Sequence, residues 1–202
     1  GLPPAPIVHG MTVGQLAMMI NEEGWLQNGI KTNIKVVPIK NYNRNIIYEL
    51  PEKPSPNLPN KKSVNLYPSL CLFEQTNVSI GRGTEMQFQI FGNPKWNNDL
   101  FSFIPKSMLG AKFPKHKDIK CYGFDLRNQP VLYQINLEWL IHAYSKSENK
   151  SSFFKMGFSK LAGNNKLQKQ IEKGNSINEI KNSWKKDLKK FKKLREDYLL
   201  YN

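Results

Sequence analysis

Apolar residues recur every three or four positions near the end of the chain, which is the spacing of one face of an α-helix. The repeat predicts a long amphipathic helix that begins after an Asn178 or Ser176 cap. Its apolar stripe consists of Ile177, Ile180, Trp184, Leu188, Phe191, Leu194 and Tyr198. A shorter helix is predicted over about Val13–Asn21, because Thr12 is a good N-cap and Gln15 completes a capping box.

Short apolar or alternating stretches between these helices predict β-strands. They are Ile34–Ile39, Leu70–Phe73, Met86–Ile90 and Tyr122–Leu126. A further amphipathic helix is predicted over Leu137–Tyr144. Strands and helices alternate in irregular order and are joined by long loops, which favours the α+β class. We therefore expect a single domain over residues 1–202, with a mixed sheet, packed helices and a long amphipathic C-terminal helix.

A polar loop, Glu74–Thr84, follows the second of these apolar stretches and holds one carboxylate, one guanidinium and two glycines. The glycines on either side of Arg82 allow positive φ and close backbone approach, which would fix where the guanidinium points. A planar fork of donors beside a carboxylate is suited to a ligand carboxylate or to sugar hydroxyls. The alternative is that Glu74 and Arg82 pair with each other and order a long turn.

Two other polar segments carry candidate binding residues. His9 and Thr12 lie just before the predicted first helix, at whose start free N–H groups favour an anionic ligand. Ser55 and Asn57 lie in the loop Pro51–Pro59, which four prolines stiffen, so their polar atoms are ordered at low cost. Either pair could instead be structural, since a lone histidine more often caps or packs, and Asn and Ser are common in turns.

Composition narrows the classes of function. The net charge of +14 permits binding to nucleic acid, to an anionic membrane surface or to an anionic wall polymer. Much of the excess lies on the lysine-rich terminal helix, where it is typical of a solvated face, and no nucleic-acid-binding motif accompanies it. No apolar stretch approaches the ~20 residues of a membrane span. The three histidines are isolated from one another and from the two cysteines, so neither a metal site nor a cofactor is predicted. The spacing of Cys71 and Cys121 leaves open whether they form a disulfide.

Three separated motifs resemble those of the NamZ/YbbC family of exo-acting β-N-acetylmuramidases. They are His9-Gly10-Met11-Thr12-Val13-Gly14, Pro54-Ser55-Pro56-Asn57 and the Glu-x-Thr-Asn-x-Ser-x-Gly-Arg-Gly-Thr pattern of residues 74–84. The motifs occur in the family's order, and the resemblance extends to the Tyr198–Tyr201 end of the chain. Family members are about twice this long and have an N-terminal Rossmann-like domain that is absent here, so this chain resembles their C-terminal part.

The resemblance implies a glycosidase of bacterial cell-wall recycling that releases terminal β-linked N-acetylmuramic acid. The chain would form one wall of a cleft for peptidoglycan-derived muramic acid glycans, and the Rossmann-like domain of the same enzyme would supply the main catalytic acid. Glu74 is a candidate catalytic residue because it is the only acid in the polar motif. Candidate substrate-binding residues are His9, Thr12, Ser55, Asn57, Thr76, Asn77, Ser79, Arg82 and Thr84.

The resemblance also implies a secreted, periplasmic or cell-envelope location, for which any signal would lie upstream of Gly1. Two other classes of function stay open. A non-catalytic carbohydrate- or wall-binding module could use Trp25, Trp96 or Tyr67 as stacking platforms. A basic nucleic-acid binder is allowed by the lysines, but the motifs do not support it.

Overall fold

The computed structural model describes residues 4–46, 48–96 and 101–201. The chain divides into two compact units. The first consists of Gly1–Tyr48 and Asn178–Asn202, and the second consists of Glu49–Ile177. This division does not decide whether the chain is one domain, and that expectation stays a prediction.

The described residues form six α-helices and three short β-strands. The helices are α1 Val13–Glu22, α2 Lys61–Leu70, α3 Glu138–Lys146, α4 Phe158–Ala162, α5 Lys166–Glu172 and α6 Ile177–Glu196. The strands are β1 Ile90–Asn93, β2 Phe101–Phe103 and β3 Cys121–Asp125. The α+β class and the long C-terminal helix are confirmed. None of the helices in the described ranges has the length and apolarity that a membrane span requires.

Helix α1, in the first unit, begins at the cap that the sequence predicts. The Thr12 side chain accepts a hydrogen bond from the Gln15 backbone (3.4 Å), and the Gln15 side chain accepts one from the Thr12 backbone (2.7 Å). Two N–H groups at the start of the helix are thereby satisfied locally. A Cβ built on Gly14 would lie 2.7 Å from a methyl group of Val36, so the segment that contains Val36 packs closely on α1.

The strand expected over Ile34–Ile39 is wrong, because none of these residues joins a β-ladder. Pro38 has no N–H to donate to a neighbouring strand. The next N–H, that of Ile39, donates to the hydroxyl of Tyr201 at 3.0 Å. Side-chain packing on α1 and this hydrogen bond hold the segment instead of strand pairing.

Helix α6 confirms the amphipathic repeat at the end of the chain. Ile180 and Phe191 of its apolar stripe are buried, whereas Trp184 and Leu188 are half-buried. The lysines between positions 185 and 193 are all exposed. This exposure agrees with the prediction that the charged side of the helix is a solvated face.

The sheet of the second unit has the strand order β1–β3–β2. Ile90 lies opposite Asp125 between β1 and β3, and Phe101 lies opposite Gly123 between β2 and β3. All pairs among the described strands are antiparallel, so the expected mixed sheet is corrected to an antiparallel one. A parallel pair needs a long crossover connection, usually a helix, and no described helix connects these three strands.

Two strands expected beside the polar loop are also wrong. Leu70–Phe73 contains the last residue of α2 and continues into a 3₁₀ turn, Cys71–Gln75. Its side chains are buried at successive positions, and a short apolar run buried in this way has the same pattern in a helix as in a strand. Of Met86–Ile90 only the last residue joins β1, because Phe88 adopts φ +54° and the two intervening glutamines are buried rather than exposed.

An aromatic core fixes the start of the polar loop. Phe91 of β1 stacks on Phe124 of β3, with 5.0 Å between the ring centroids, and packs on Phe73 at 5.3 Å. Phe73 and Phe91 are fully buried. Because Glu74 directly follows Phe73, the carboxylate leaves the backbone at a point that the core holds in place.

Candidate functional site

The Arg82 guanidinium is the point at which polar groups of the second unit meet. Its Nη1 donates to the Glu74 carboxylate (3.3 Å), its Nε donates to the Asn57 side-chain oxygen (3.3 Å), and its Nη2 donates to the Gly110 carbonyl (3.1 Å). The Asn57 amide donates to the same carbonyl at 2.9 Å. The structure therefore brings together Glu74, Asn57 and Arg82, and the direct pairing of Glu74 with Arg82 is present.

These contacts leave part of the guanidinium available. A guanidinium has five N–H donors, and the three contacts use one donor on each nitrogen, which leaves one on Nη1 and one on Nη2. The Arg82 side chain is 41% exposed and that of Glu74 is 28% exposed, so solvent reaches both groups. An ion pair of this exposure stabilises a fold by only about 0–1 kcal/mol. Its main effect is to orient the arginine.

The backbone on both sides of Arg82 requires glycine. Gly81 and Gly83 adopt φ +76° and +88°. A Cβ on Gly81 would lie 2.6 Å from the Met86 carbonyl oxygen, and one on Gly83 would lie 2.6 Å from the Lys106 carbonyl oxygen. Both the left-handed backbone and the close packing exclude a side chain at these positions. The turn therefore fixes the direction in which Arg82 leaves the backbone.

Three of the predicted binding residues serve the fold of the polar loop. The Thr76 hydroxyl donates to the Phe73 carbonyl (2.9 Å) and accepts from the Val78 N–H (3.1 Å). The Ser79 backbone exchanges two hydrogen bonds with Gly92. The Thr84 hydroxyl donates to the Gly81 carbonyl at 2.7 Å. Thr76 and Ser79 are buried, so their side chains could touch a sugar only if the loop opened.

Asn77 and Ser55 contribute to the site through local hydrogen bonds. The Asn77 carbonyl accepts from Nε2 of His116 (2.7 Å) and from the Asn93 side chain (2.9 Å). The Ser55 hydroxyl accepts from the Asn57 N–H at 3.2 Å, which helps to place the Asn57 side chain beside Arg82. Whether Asn77 and Ser55 contact a ligand stays a prediction.

Lys115 is a residue of this site that the sequence did not identify. Its ammonium donates to the Phe73 carbonyl at 2.7 Å and to the Val78 carbonyl at 3.0 Å. These carbonyls lie just before and just after the segment 74–77, so one cation closes the loop that carries Glu74. The only signal in the sequence was a basic, turn-like stretch, and nothing there distinguished this lysine from its neighbours.

Burial sets the protonation of the two basic groups behind the loop. The pKa of Lys115 is lowered to about 7, chiefly by burial and also by the charge of Lys155, while the Glu74 carboxylate acts in the opposite direction. The pKa of His116 is lowered mainly by burial, which the hydrogen bond to the Asn77 carbonyl opposes. Near neutral pH the charge beneath the loop is therefore sensitive to proton concentration.

His9 and Thr12 belong to the first unit. The Thr12 side chain is engaged in the cap of α1. Nδ1 of His9 accepts from the Met11 N–H at 3.2 Å, so a neutral ring carries its proton on Nε2. The pKa of His9 is lowered by burial and by the Arg195 charge, which favours the neutral ring. That these two residues contact the same ligand as Arg82 stays a prediction.

The aromatic platforms considered for a binding module differ in exposure. Trp96 is 5% exposed and packs on Phe91, so it belongs to the core. The prediction that it could be a stacking platform is wrong. Tyr67 is 37% exposed and packs on Phe88, and the pKa of its hydroxyl is raised first by burial and then by the nearby Glu74 charge. Trp25 is half-buried. Of the two platforms in the second unit, Tyr67 is the exposed one.

Metal binding finds no support in the part of the chain that the structure describes. No group of three or more His, Cys, Asp or Glu side chains there could hold a metal ion. Cys71 and Cys121 are free and buried. Burial raises the pKa of Cys71 to about 11 and that of Cys121 to about 12, so both stay as thiols at neutral pH.

Comparison with known families identifies the class of protein to which this fold and site belong. Residues 65–201 match the family described as "Exo-beta-N-acetylmuramidase NamZ, C-terminal", and residues 1–62 match "Exo-beta-N-acetylmuramidase NamZ, N-terminal". The chain belongs to the NamZ family of glycosidases. Both family models, the N-terminal and the C-terminal one, therefore match parts of this chain.

Individual relatives agree with this assignment. The chain is 34% identical over 221 residues to the "Peptidoglycan beta-N-acetylmuramidase NamZ" of Bacillus subtilis (strain 168), with all of this chain and 52% of that protein covered. It is 45% identical to a crystal structure of a DUF1343 family protein from Bacteroides fragilis NCTC 9343, with a TM-score of 0.92 over all of this chain and 58% of that one. The chain therefore spans about half the length of the curated relative that it matches.

A second DUF1343 family structure from the same organism shows how far the fold is kept. It is 20% identical and has a TM-score of 0.77 over 96% of this chain and 57% of its own length. At this identity the likeness concerns the fold alone.

The Gly81→Ala variant tests whether the turn beside Arg82 is rigid. We expect it to lose about 2–5 kcal/mol of unfolding free energy, because a left-handed alanine costs about 1–2 kcal/mol and overpacking typically costs about 1–3 kcal/mol. Gly163→Ala is the matched control, since Gly163 has φ +77° and no atom within 4 Å of an added Cβ. It should lose only the backbone part. Equal losses in chemical denaturation would contradict a steric constraint at Gly81.

The Lys115→Met variant tests the buried ammonium through the pH dependence of stability. The folded-state pKa of Lys115 is about 7, below the ordinary value of 10.5. Between these pH values the unfolded chain binds a proton that the folded chain lacks. The unfolding free energy of the native protein therefore increases as the pH rises. The slope from this group is at most about 1.4 kcal/mol per pH unit.

All other titrating groups are common to both proteins, so the difference in unfolding free energy between native and variant isolates Lys115. We expect this difference to grow between pH 7 and pH 10 and to be flat below pH 6. The measurement is urea denaturation at a series of pH values. A difference that stays constant from pH 6 to pH 10 would mean that the Lys115 pKa is not lowered.

Proposed function

We propose that this chain carries the sugar-binding surface of a glycosidase that releases terminal β-linked N-acetylmuramic acid from peptidoglycan fragments. Family membership supports the class of reaction, since the Bacillus subtilis relative is described as a peptidoglycan β-N-acetylmuramidase. The observation that carries the proposal within this chain is the fixed Arg82 guanidinium, which three acceptors orient and which keeps two donors.

Arg82 is proposed to bind the lactyl carboxylate, the group that distinguishes N-acetylmuramic acid from N-acetylglucosamine. A guanidinium with donors on both Nη1 and Nη2 matches a carboxylate in two-point geometry. The existing contacts reduce the entropy that binding would otherwise cost, because the side chain is already ordered. Glu74 opposes this role, since its negative charge lies 3.3 Å from Nη1 and would repel a second carboxylate.

The balance of charge around Arg82 determines whether the site attracts or repels the lactyl carboxylate. The partly buried Lys115 ammonium lies behind the same loop and holds the Phe73 and Val78 carbonyls. When Lys115 is protonated, two cations and one carboxylate surround the site, and the net field favours an anion. We therefore propose that sugar binding weakens as the pH rises above the Lys115 pKa of about 7.

We propose that catalysis also requires a part of the enzyme other than the residues around Arg82. Glycoside hydrolysis by the usual routes uses two carboxyl groups on either side of the scissile bond. Glu74 is the one carboxylate in contact with Arg82 among the described residues. Asp125 is engaged by Arg127, and Glu22 by Lys31. We propose that the N-terminal Rossmann-like domain implied by the resemblance supplies the main acid, and that Glu74 orients Arg82 and acts as a second carboxyl group.

The alternative is a carbohydrate-binding module without catalysis. The exposed ring of Tyr67 beside the polar loop favours it, because an aromatic face can stack on a sugar ring. Turnover of a chromogenic muramic acid glycoside by the complete enzyme, lost in a Glu74→Gln variant that still binds the sugar, would exclude this alternative. A peptidoglycan substrate would place the enzyme in the cell envelope or outside the cell, and we propose that location.

The Arg82→Lys variant tests the carboxylate clamp. The native chain should bind N-acetylmuramic acid more tightly than N-acetylglucosamine. The expected difference in binding free energy is about 1.5–3 kcal/mol, the contribution of a charge-assisted hydrogen bond. In the variant the affinity for N-acetylmuramic acid should fall to that for N-acetylglucosamine, because a point charge cannot reproduce the two-point fork. Isothermal titration of both sugars at pH 6.5, with a thermal melt of each protein, measures this.

Arg127→Lys is the matched control, because Arg127 also pairs with a carboxylate, that of Asp125, but outside the polar loop. It should leave the preference between the two sugars unchanged. If Arg82→Lys weakens both sugars equally and also lowers the melting temperature, Arg82 is a structural partner of Glu74 and the clamp is refuted.

A further inference from the structure

Two arginines of the first unit meet at Gly10. Nη2 of Arg44 donates to the Gly10 carbonyl at 2.7 Å, and Nη1 of Arg195 donates to the His9 carbonyl at 3.0 Å. A Cβ built on Gly10 would lie 2.7 Å from Nη1 of Arg195 and 3.6 Å from Nη2 of Arg44. Both guanidiniums therefore approach the same point, which is open only because position 10 has no side chain.

The two guanidiniums repel each other because both are positively charged and both approach Gly10. The charge of Arg44 contributes to a lowered pKa of Arg195, after the larger effect of burial, while Glu196 acts in the opposite direction. In the described ranges neither arginine forms a salt bridge with a carboxylate. The fold thus holds two cations together, and among the described residues their direct hydrogen-bond acceptors are the carbonyls of Gly10 and His9, while Glu196 acts on Arg195 without a salt bridge.

Each guanidinium also has a buried donor that lacks an acceptor. Nη1 of Arg44 and Nε of Arg195 are shielded from solvent and have no hydrogen-bond partner among the described residues. Buried polar groups in folded proteins are nearly always paired, so unpaired donors on two adjacent arginines call for an explanation. A bound acceptor would supply it.

The neighbouring groups do not compete for such an acceptor. Nδ1 of His9 is an acceptor for the Met11 N–H, and its lowered pKa favours a neutral ring that adds no third charge. The Thr12 hydroxyl and the Gln15 side-chain oxygen accept the backbone N–H groups of the α1 cap. Nε2 of Gln15 is a third buried donor without a partner among the described residues, but the two arginines are the donors of this region that carry charge.

We propose that Arg44 and Arg195 form a binding site for an oxyanion, a carboxylate or phosphate group, beside Gly10. A neutral sugar hydroxyl would offset neither positive charge, whereas a carboxylate offsets one of the two, a phosphate offsets more, and either accepts several N–H bonds at once. Gly10 is exposed and both arginines are half-buried, so an anion can reach the site from solvent. Both arginines of this site belong to the first unit, whereas Arg82 belongs to the second.

The test is a titration of the ¹⁵N-labelled chain at pH 7 with sodium acetate and, separately, with sodium phosphate. Sodium chloride at matched ionic strength corrects for screening. We expect saturable shifts of the Arg195 Nε–H and Gly10 amide resonances with at least one of the two oxyanions. The arm that saturates at lower concentration identifies the preferred group, carboxylate or phosphate.

Variants link these shifts to the arginine pair. Arg195→Gln and Arg44→Gln should abolish saturation, and Lys189→Gln, an exposed position on the same helix as Arg195, should leave it unchanged. If a glutamine variant does not fold, Arg44→Lys keeps the charge but loses the planar fork, and it should bind at least about tenfold more weakly. Shifts that follow chloride, or saturation that survives Arg44→Lys unchanged, would overturn the site.

Discussion

The left-handed turn at Gly81-Arg82-Gly83 determines the geometry of the candidate site. Backbone carbonyls of Met86 and Lys106 lie 2.6 Å from where side chains at the two glycine positions would begin. With glycine on both sides, Arg82 leaves the turn toward Glu74 and the Gly110 carbonyl. The arginine is ordered before any ligand arrives, and such preorganisation is what a selective binding group needs.

A second cation stabilises the other side of the same loop. The Lys115 ammonium donates hydrogen bonds to the carbonyls of Phe73 and Val78. Its position is partly buried, and burial disfavours the charged form of the side chain. Burial of the ammonium therefore opposes the two hydrogen bonds that it makes. This opposition makes the loop sensitive to pH near neutrality.

The sequence predicted those parts of the molecule that depend on neighbours along the chain. The capping box of Thr12 and Gln15, the stripe of α6 and the glycines beside Arg82 are all local patterns, and the structure has them. Leu70–Phe73 was misassigned because a fully buried apolar run carries no periodicity that separates helix from strand.

The partners of Arg82 and the role of Lys115 depend on contacts between distant parts of the chain. The Gly110 carbonyl is a backbone group, which leaves no mark in the sequence, and Lys115 is one lysine in a basic stretch until the fold places Phe73 and Val78 beside it. Arg44 and Arg195 were missed for the same reason, since positions so far apart meet only through the fold.

A crystal structure of the chain with N-acetylmuramic acid would show whether the ordered arginine receives the sugar's acidic group. Our account predicts that the lactyl carboxylate accepts hydrogen bonds from Nη1 and Nη2 of Arg82, while Asn57 and the Gly110 carbonyl keep their present contacts. An ordered sugar whose carboxylate lies away from Arg82, with the Glu74 ion pair unchanged, would contradict it.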